Sequence, residues 1–269
     1  MPARIVHVDS ADHPALQPYT AMRERDLVGR EGLFVAEGEV VLRVLASRSK
    51  LKIRSLLLER RRVDAVGDVL AKLPDDVSAY VVPQSVMDGV VGFSIHRGVL
   101  ALGERGAPLI PSALALGASV IVGLIGLTNH DNVGSIFRNA AAFGADGVLL
   151  DAESCDPLYR KAIRVSAGAA LVVPFARCEN ADALLDTLAA AKIEPIALTP
   201  RGEETIDSLP PAPRALLLGT EGPGLPESVL RRTRRVRIDM APGLDSLNVA
   251  VASGIALHEA TRALRRHAK

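Results

Sequence analysis

Apolar residues fall along this chain in short, nearly unbroken runs and in longer stretches broken every third or fourth position. Before residue 104 the short runs lie at 33–36, 53–58, 80–82 and 99–102 and predict strands. Helical patterns at 15–28, 39–46 and 64–72 lie between them. After residue 112 a buried-looking strand, 119–127, is followed by a polar turn and by a helix from about 133 to 143 that Gly144 stops. A strand at 147–150 then completes a βαβ unit. Further strands are expected at 170–174, 195–198, 215–218 and 236–238, and helices at 181–191, 227–232 and 247–266. Strands that read as continuous apolar runs between helices predict a parallel sheet covered on both faces.

The stretch Glu104-Arg-Gly-Ala-Pro-Leu-Ile-Pro-Ser112 carries the Gly and Pro of a linker, so two domains are expected, 1–107 and 108–269. A chain that is 48% hydrophobic and 23% charged excludes a disordered or low-complexity protein. The longest apolar or glycine run, 120–127, is far short of the ~20 residues that cross a bilayer, and 1–10 lacks a secretory apolar region, so a cytoplasmic protein is expected. Cys155 and Cys178 cannot make a disulfide framework or a four-ligand zinc site and are expected to be structural buried thiols.

Thirty-two basic side chains against 31 acidic ones give no overall pull on a polyanion, but the charge is clustered. Arg43, Arg48, Lys50, Lys52, Arg54, Arg60, Arg61 and Arg62 face one intervening acid, Glu59, and a second cluster comprises Arg231, Arg232, Arg234, Arg235 and Arg237. Two such runs in a neutral protein point to a phosphate backbone, although either alone is equally a solvated face. Aromatic residues are 3% of the chain and Trp is absent, so RNA held on stacked aromatic platforms is excluded.

Parallel sheets bind ligands beyond the carboxyl ends of their strands, which draws attention to four polar or glycine-rich loops: 128–134, 199–202, 219–225 and 241–248. The first, with Asp151 at the next strand end, imitates a dinucleotide fingerprint but lacks G-x-G-x-x-G. A nucleotide-dependent oxidoreductase is therefore one alternative. Glu221 in the third loop would repel a phosphate and suits a ligand that is cationic or bound through adenine and ribose.

Three ordered motifs carry a family resemblance. Asn132-Val133-Gly134-Ser135-Ile136-Phe137-Arg138-Asn139-Ala140, Leu218-Gly219-Thr220-Glu221-Gly222-Pro223-Gly224-Leu225, and Ile238-Asp239-Met240 through Asp245-Ser246-Leu247-Asn248-Val249-Ala250 together resemble the SpoU (TrmH-like) class of SPOUT RNA 2′-O-ribose methyltransferases. Asp239 stands where that class usually has Pro. Phe34-Val35-Ala36-Glu37-Gly38-Glu39 and Ser94-Ile95-His96-Arg97-Gly98 are similar to the two ends of the class's RNA-binding domain. The resemblance implies an α/β protein with a C-terminal SPOUT domain, its parallel sheet tied in a deep trefoil knot, and a smaller N-terminal L30e-like α/β domain.

It also implies S-adenosyl-L-methionine as cofactor, rRNA or tRNA as substrate, a homodimer, and neither a metal nor a membrane partner. By resemblance Asn132, Arg138, Glu221, Ser246 and Asn248 are catalytic, and Thr199, Leu218, Gly219, Ile238, Met240 and Leu247 bind the cofactor, although Ile238 and Leu247 could equally be core. Glu37, Arg43, Lys50, Lys52, Arg54 and Arg164 are expected on the RNA-binding side. The resemblance assigns Arg138 to the 2′-hydroxyl, sometimes as a base. A guanidinium almost never gives up its proton, so holding phosphate and stabilising the developing alkoxide suits it better. Asn132 also fits a helix N-cap, and Ser246 an ordinary cap of the last helix. A non-catalytic RNA-binding protein of the same fold is a second alternative.

Overall fold

The computed structural model describes residues 3–20, 32–92, 97–243 and 245–267. In chain order its main elements are β1 (Arg4–His7), β2 (Leu33–Glu37), α1 (Glu39–Arg48), β3 (Lys52–Glu59), α2 (Gly67–Leu70), β4 (Ser78–Val82), α3 (Gln84–Val91) and β5 (Val99–Glu104). There follow α4 (Pro111–Ala115), β6 (Val120–Leu124), α5 (His130–Phe143), β7 (Gly147–Leu150), α6 (Arg160–Val165), β8 (Phe175–Arg177), α7 (Ala181–Ala190) and β9 (Glu194–Leu198). The chain ends with β10 (Glu204–Thr205), β11 (Arg214–Leu218), α8 (Glu227–Leu230), β12 (Arg234–Arg237) and α9 (Val249–His267). Among the described residues no helix is long and apolar enough to cross a membrane.

The chain forms two compact units. The first comprises Met1–Ala107 together with Leu158–Val172, a segment expected from the sequence in the second domain. Its sheet runs β1-β4-β3-β5-β2, parallel through β1, β4 and β3 and antiparallel at β3–β5 and β5–β2. Leu16, Tyr19, Leu57, Met87, Leu100 and Leu102 pack one core of this unit. The later segment is tied in by Ser49, whose hydroxyl donates to the Leu171 carbonyl at 2.6 Å, and by Gly168, where a Cβ would meet Val44 at 3.0 Å.

The second unit, Pro108–Pro157 with Val173–Lys269, is built on a wholly parallel sheet ordered β10-β12-β9-β11-β6-β7-β8. Every residue of β6, β7 and β11 is buried, as expected for strands sandwiched between helices. Ile121, Leu149, Leu184, Leu188 and Leu217 pack one face.

Some elements differ from those expected. The strand expected at 170–174 is instead a 3-10 turn, Ala169–Leu171, inside the first unit, and β8 starts at Phe175. The helical pattern 64–72 resolves into a 3-10 turn and the short α2. Of the pattern 15–28, residues 14–19 form a 3-10 helix and 21–31 lie outside the described residues, as do 94–96 of the second RNA-domain motif. Strand β1 and helices α3, α4 and α6 are too short, or too weakly periodic, to announce themselves in the sequence.

Candidate active site

The carboxyl ends of β9, β11 and β12 and the segment leading into α9 line one cleft of about 1150 Å³ in the second unit. Thr199, Leu218, Gly219, Ile238, Met240 and Leu247 all line it, as do Glu221, Ser246 and Asn248. Ile238 and Leu247 are half-buried cleft residues rather than sealed core. Two loops are drawn tight by backbone packing. At Gly219 a Cβ would sit 2.4 Å from the Gly224 carbonyl carbon, and at Gly202 one would sit 2.3 Å from that of Val236, so neither position admits a side chain without moving backbone. Thr220 closes the 219–225 loop, its hydroxyl donating to the Gly224 carbonyl at 3.2 Å and its own carbonyl accepting the Gly224 N–H at 3.1 Å.

At the mouth of the cleft the three motifs meet through side chains. Asn132 Nδ2 donates to Glu221 Oε1 at 2.6 Å. Asn248 Nδ2 donates to Asn132 Oδ1 at 3.1 Å and to Glu221 Oε1 at 3.3 Å. The Asn248 side chain also caps α9, its Oδ1 accepting the N–H groups of Ala250 and Val251 at 2.9 and 3.3 Å. One carboxylate oxygen thus collects both amide donors. Among the described residues the other accepts none, which leaves it able to receive a hydroxyl or amine.

Two capping expectations are corrected. Asn129 caps α5, accepting from the Asp131 N–H at 2.9 Å, while Asn132 lies inside the first turn, buried, with its amide turned to Glu221. Ser246 is exposed on the cleft wall, and the cap of α9 is Asn248.

The segment between β6 and α5 is held by the loop after β7. Asp151, 3% exposed, accepts the Gly126 N–H at 2.9 Å through Oδ2 and the Ser154 N–H and hydroxyl at 2.8 and 2.6 Å through Oδ1. Ser154 Oγ accepts the Leu127 N–H, and Arg177 Nη1 donates to the carbonyls of Asp151 and Ser154, both at 2.9 Å. A carboxylate consumed in this way cannot grip a ribose, which overturns the dinucleotide-type alternative built on 119–151. Cys155 and Cys178 flank this loop, and burial pushes the Cys155 thiol up to about 12 and raises that of Cys178.

Arg138 does not line the cleft. It is exposed on α5, six residues and about 9 Å along the axis from Asn132, and rotated roughly 240° around the helix. Among the described residues its guanidinium has no ion pair. Nearby, Asn139 Nδ2 donates to the Ala250 carbonyl at 2.7 Å and to Ser253 Oγ at 2.9 Å, fixing α5 against α9.

Four of the five arginines of the second basic cluster are paired within the unit. Arg232 binds Asp182 and Asp186, Arg234 binds Glu204 and Glu194, Arg235 binds Glu203, and Arg237 binds Asp239. The hydrogen bonds that these guanidinium groups donate to the carboxylates raise the Arg232 and Arg234 pKa values and lower that of the Glu204 carboxyl. The solvated-face explanation therefore holds here, and the cluster does not by itself indicate a polyanion. Asp239, in place of the usual Pro, accepts from Arg237 Nε at 2.9 Å.

In the first unit Arg43 is likewise engaged, donating to Glu39, Asp68 and the Ala65 carbonyl, so it is a structural crosslink rather than a free phosphate ligand. Glu37 is 4% exposed and faces Arg164 Nη1 at 3.6 Å and Arg160 Nε at 4.0 Å. Its burial corrects the expectation that it touches RNA: it holds arginines instead. Lys50 and Lys52 are exposed without ion pairs among the described residues, and exposed Arg54 has only Glu104 at 3.9 Å. Sequence reasoning passed over Arg201, which lines the cleft two residues beyond Thr199.

Comparison with known proteins shows the family and the fold. A tRNA/rRNA methyltransferase of Mycobacterium bovis, itself uncharacterized, is 39% identical over 267 residues, covering 93% of this chain and 90% of its own. The AdoMet-bound rRNA methyltransferase of Sinorhizobium meliloti superposes with a TM-score of 0.82 at 25% identity, over 98% of both chains. The SpoU methyltransferase AviRb of Streptomyces viridochromogenes shares the fold, with a TM-score of 0.81 at 23% identity over 95% of this chain and 99% of its own. Residues 119–258, which contain all three motifs and the whole cleft, match the SpoU rRNA methylase family, and the chain belongs to it.

Proposed function

We propose that this protein is an S-adenosyl-L-methionine-dependent methyltransferase that modifies a ribose 2′-hydroxyl of ribosomal or transfer RNA. The observation that carries the proposal is the Asn132–Glu221–Asn248 network at the mouth of a glycine-walled cleft. The donor set suits the cofactor: backbone groups at 219–224 and Thr199 for the adenosine, apolar Leu218, Ile238, Met240 and Leu247 for the ring, and Glu221 near a sulfonium. When bound, the cofactor supplies an electrophilic methyl group, whose bond to sulfur breaks as a bond to the ribose oxygen forms and the hydroxyl proton passes to solvent.

Asn132 and Asn248 hold Glu221 in one position, so its other oxygen can orient the incoming ribose before transfer. Arg138 is on a different face of α5 from Asn132, which supports a homodimer in which Arg138 of one protomer stabilises the developing alkoxide in the cleft of its partner. With this belong the trefoil knot of the second unit, the L30e-like character of the first, and cytoplasmic action. Lys50, Lys52 and Arg54 are the side chains proposed to meet RNA phosphates, while Arg164 is held by Glu37.

The test is incubation of the protein with methyl-labelled S-adenosylmethionine and total RNA from cells lacking it, followed by mapping of ribose methylation. Label in a 2′-O-methyl nucleotide is the expected result. Label on a base would overturn the ribose assignment, and no label on any RNA would favour a non-catalytic RNA-binding protein. Undiminished incorporation by Arg138→Ala would remove Arg138 from the mechanism.

A further inference from the structure

We infer that Arg201 binds the carboxylate of the methionine moiety of S-adenosylmethionine, an inference that rests on the cofactor proposed above. Arg201 follows β9 in a turn anchored at both sides. The Gly202 N–H donates to the Thr199 carbonyl at 3.0 Å, the Arg201 N–H to Thr199 Oγ1 at 3.4 Å, and Gly202 lies against the backbone of Val236 and Arg237. The turn therefore presents Arg201 from a fixed backbone, on the wall of the cleft.

The pattern of charge pairing singles this residue out. Arg235 and Arg237, on the strand against which the turn packs, are matched by Glu203 and Asp239. Arg201 is exposed and, among the described residues, has no ion pair. It is also the one cationic side chain among the described residues lining the cleft, whose acidic lining residues are Glu221 and Asp245. The cofactor carries an ammonium, a sulfonium and a single carboxylate. Glu221 and Asp245 complement the two cationic groups, which leaves the carboxylate for a guanidinium that offers two parallel N–H donors.

The experiment compares S-adenosylhomocysteine with its decarboxylated analogue, which keeps the amine, by calorimetric titration of the full chain. The wild type should prefer the carboxylate-bearing ligand by roughly 10- to 100-fold, the range for a charge-assisted hydrogen bond. Arg201→Ala should abolish that preference while leaving affinity for the analogue within about twofold. Arg201→Lys, which keeps the charge and loses the fork, should restore part of it. Retention of the full preference in Arg201→Ala, or an equal loss for both ligands, would overturn the inference. So would a loss confined to RNA binding. A wild type that bound neither ligand would instead remove the cofactor assignment on which the inference stands.

Discussion

Replacing Asn132 and Glu221 by Ala, singly and together, measures whether the two residues act as a pair or as two independent loop residues. The bond between them is 2.6 Å long, joins a buried amide to a carboxylate and bridges 89 positions of sequence. A hydrogen bond to a charged group contributes about 1.5 to 3 kcal/mol, and the solvent exposure of Glu221 places this one near or below the lower figure. The expected coupling is therefore about 1 to 1.5 kcal/mol: the double variant should be less destabilised by that amount than the sum of the singles. Urea unfolding followed by far-ultraviolet circular dichroism reads the effect. The chain's three tyrosines, Tyr19, Tyr80 and Tyr159, all belong to the first unit, so tyrosine emission provides an internal comparison. Methyl transfer by the same four proteins should show the same non-additivity, because loss of Asn132 leaves the Glu221 carboxylate held by Asn248 alone and loss of Glu221 removes the carboxylate that Asn132 positions. Additive stability losses, agreeing within about 0.3 to 0.5 kcal/mol, would refute the pairing as an energetic unit.

Three further outcomes are expected. The Glu204 carboxyl is lowered in the folded state by its hydrogen bond from Arg234, so its contribution is present above the ordinary glutamate range and is lost as pH falls through the folded value. Thermal midpoints on acidification should fall less steeply in Glu204→Gln than in wild type, and parallel curves would contradict this. With the Cys155 thiol pushed up to about 12 and that of Cys178 raised, both thiols should react with iodoacetamide at mildly alkaline pH far more slowly in the native protein than in denaturant. Rapid native alkylation would show that neither thiol is desolvated as described. Replacing Lys50, Lys52 and Arg54 by Ala should reduce the slope of log affinity against log salt for RNA by roughly 0.7 to 0.9 for each phosphate no longer neutralised, whereas Arg232→Ala should leave it unchanged; the reverse order would exchange the roles of the two basic clusters.

The legibility of the sequence follows burial. Strands β6, β7 and β11 are apolar at nearly every position because helices cover both faces of their sheet, and such runs stand out against any polar background. Gly144 ends α5 in the left-handed conformation, with φ of 77°, as its place after the last apolar residue predicts. The stretch 170–174 is just as apolar, yet no strand forms there: Ala169–Leu171 is a 3-10 turn tied to Ser49 in the first unit. An apolar run records that a segment is buried; it does not record which sheet, or whether any sheet, buries it. The same limit explains why α6 and its neighbours joined the first unit: the ties are a hydroxyl to a carbonyl, a glycine under Val44 and arginines around Glu37, and none has a periodicity.

Charge is legible only as composition until partners are known. Five arginines between 231 and 237 look like a phosphate surface, but four of them, Arg232, Arg234, Arg235 and Arg237, have counterions from β9, β10 and α7 and from residues beside them, at separations from two to fifty positions. Arg201 shows the converse. One isolated arginine among glycine and proline carries no cluster signal, yet it is the cation that the paired residues leave facing the cleft. The roles proposed for Arg201 in the cleft and Arg138 on α5 therefore rest on charges that folding leaves uncompensated, rather than on the density of charge along the sequence. For a ligand that is itself charged, the pairing pattern of the unbound protein is the more selective guide, because a guanidinium already committed to a carboxylate must give up that partner before it can bind anything else.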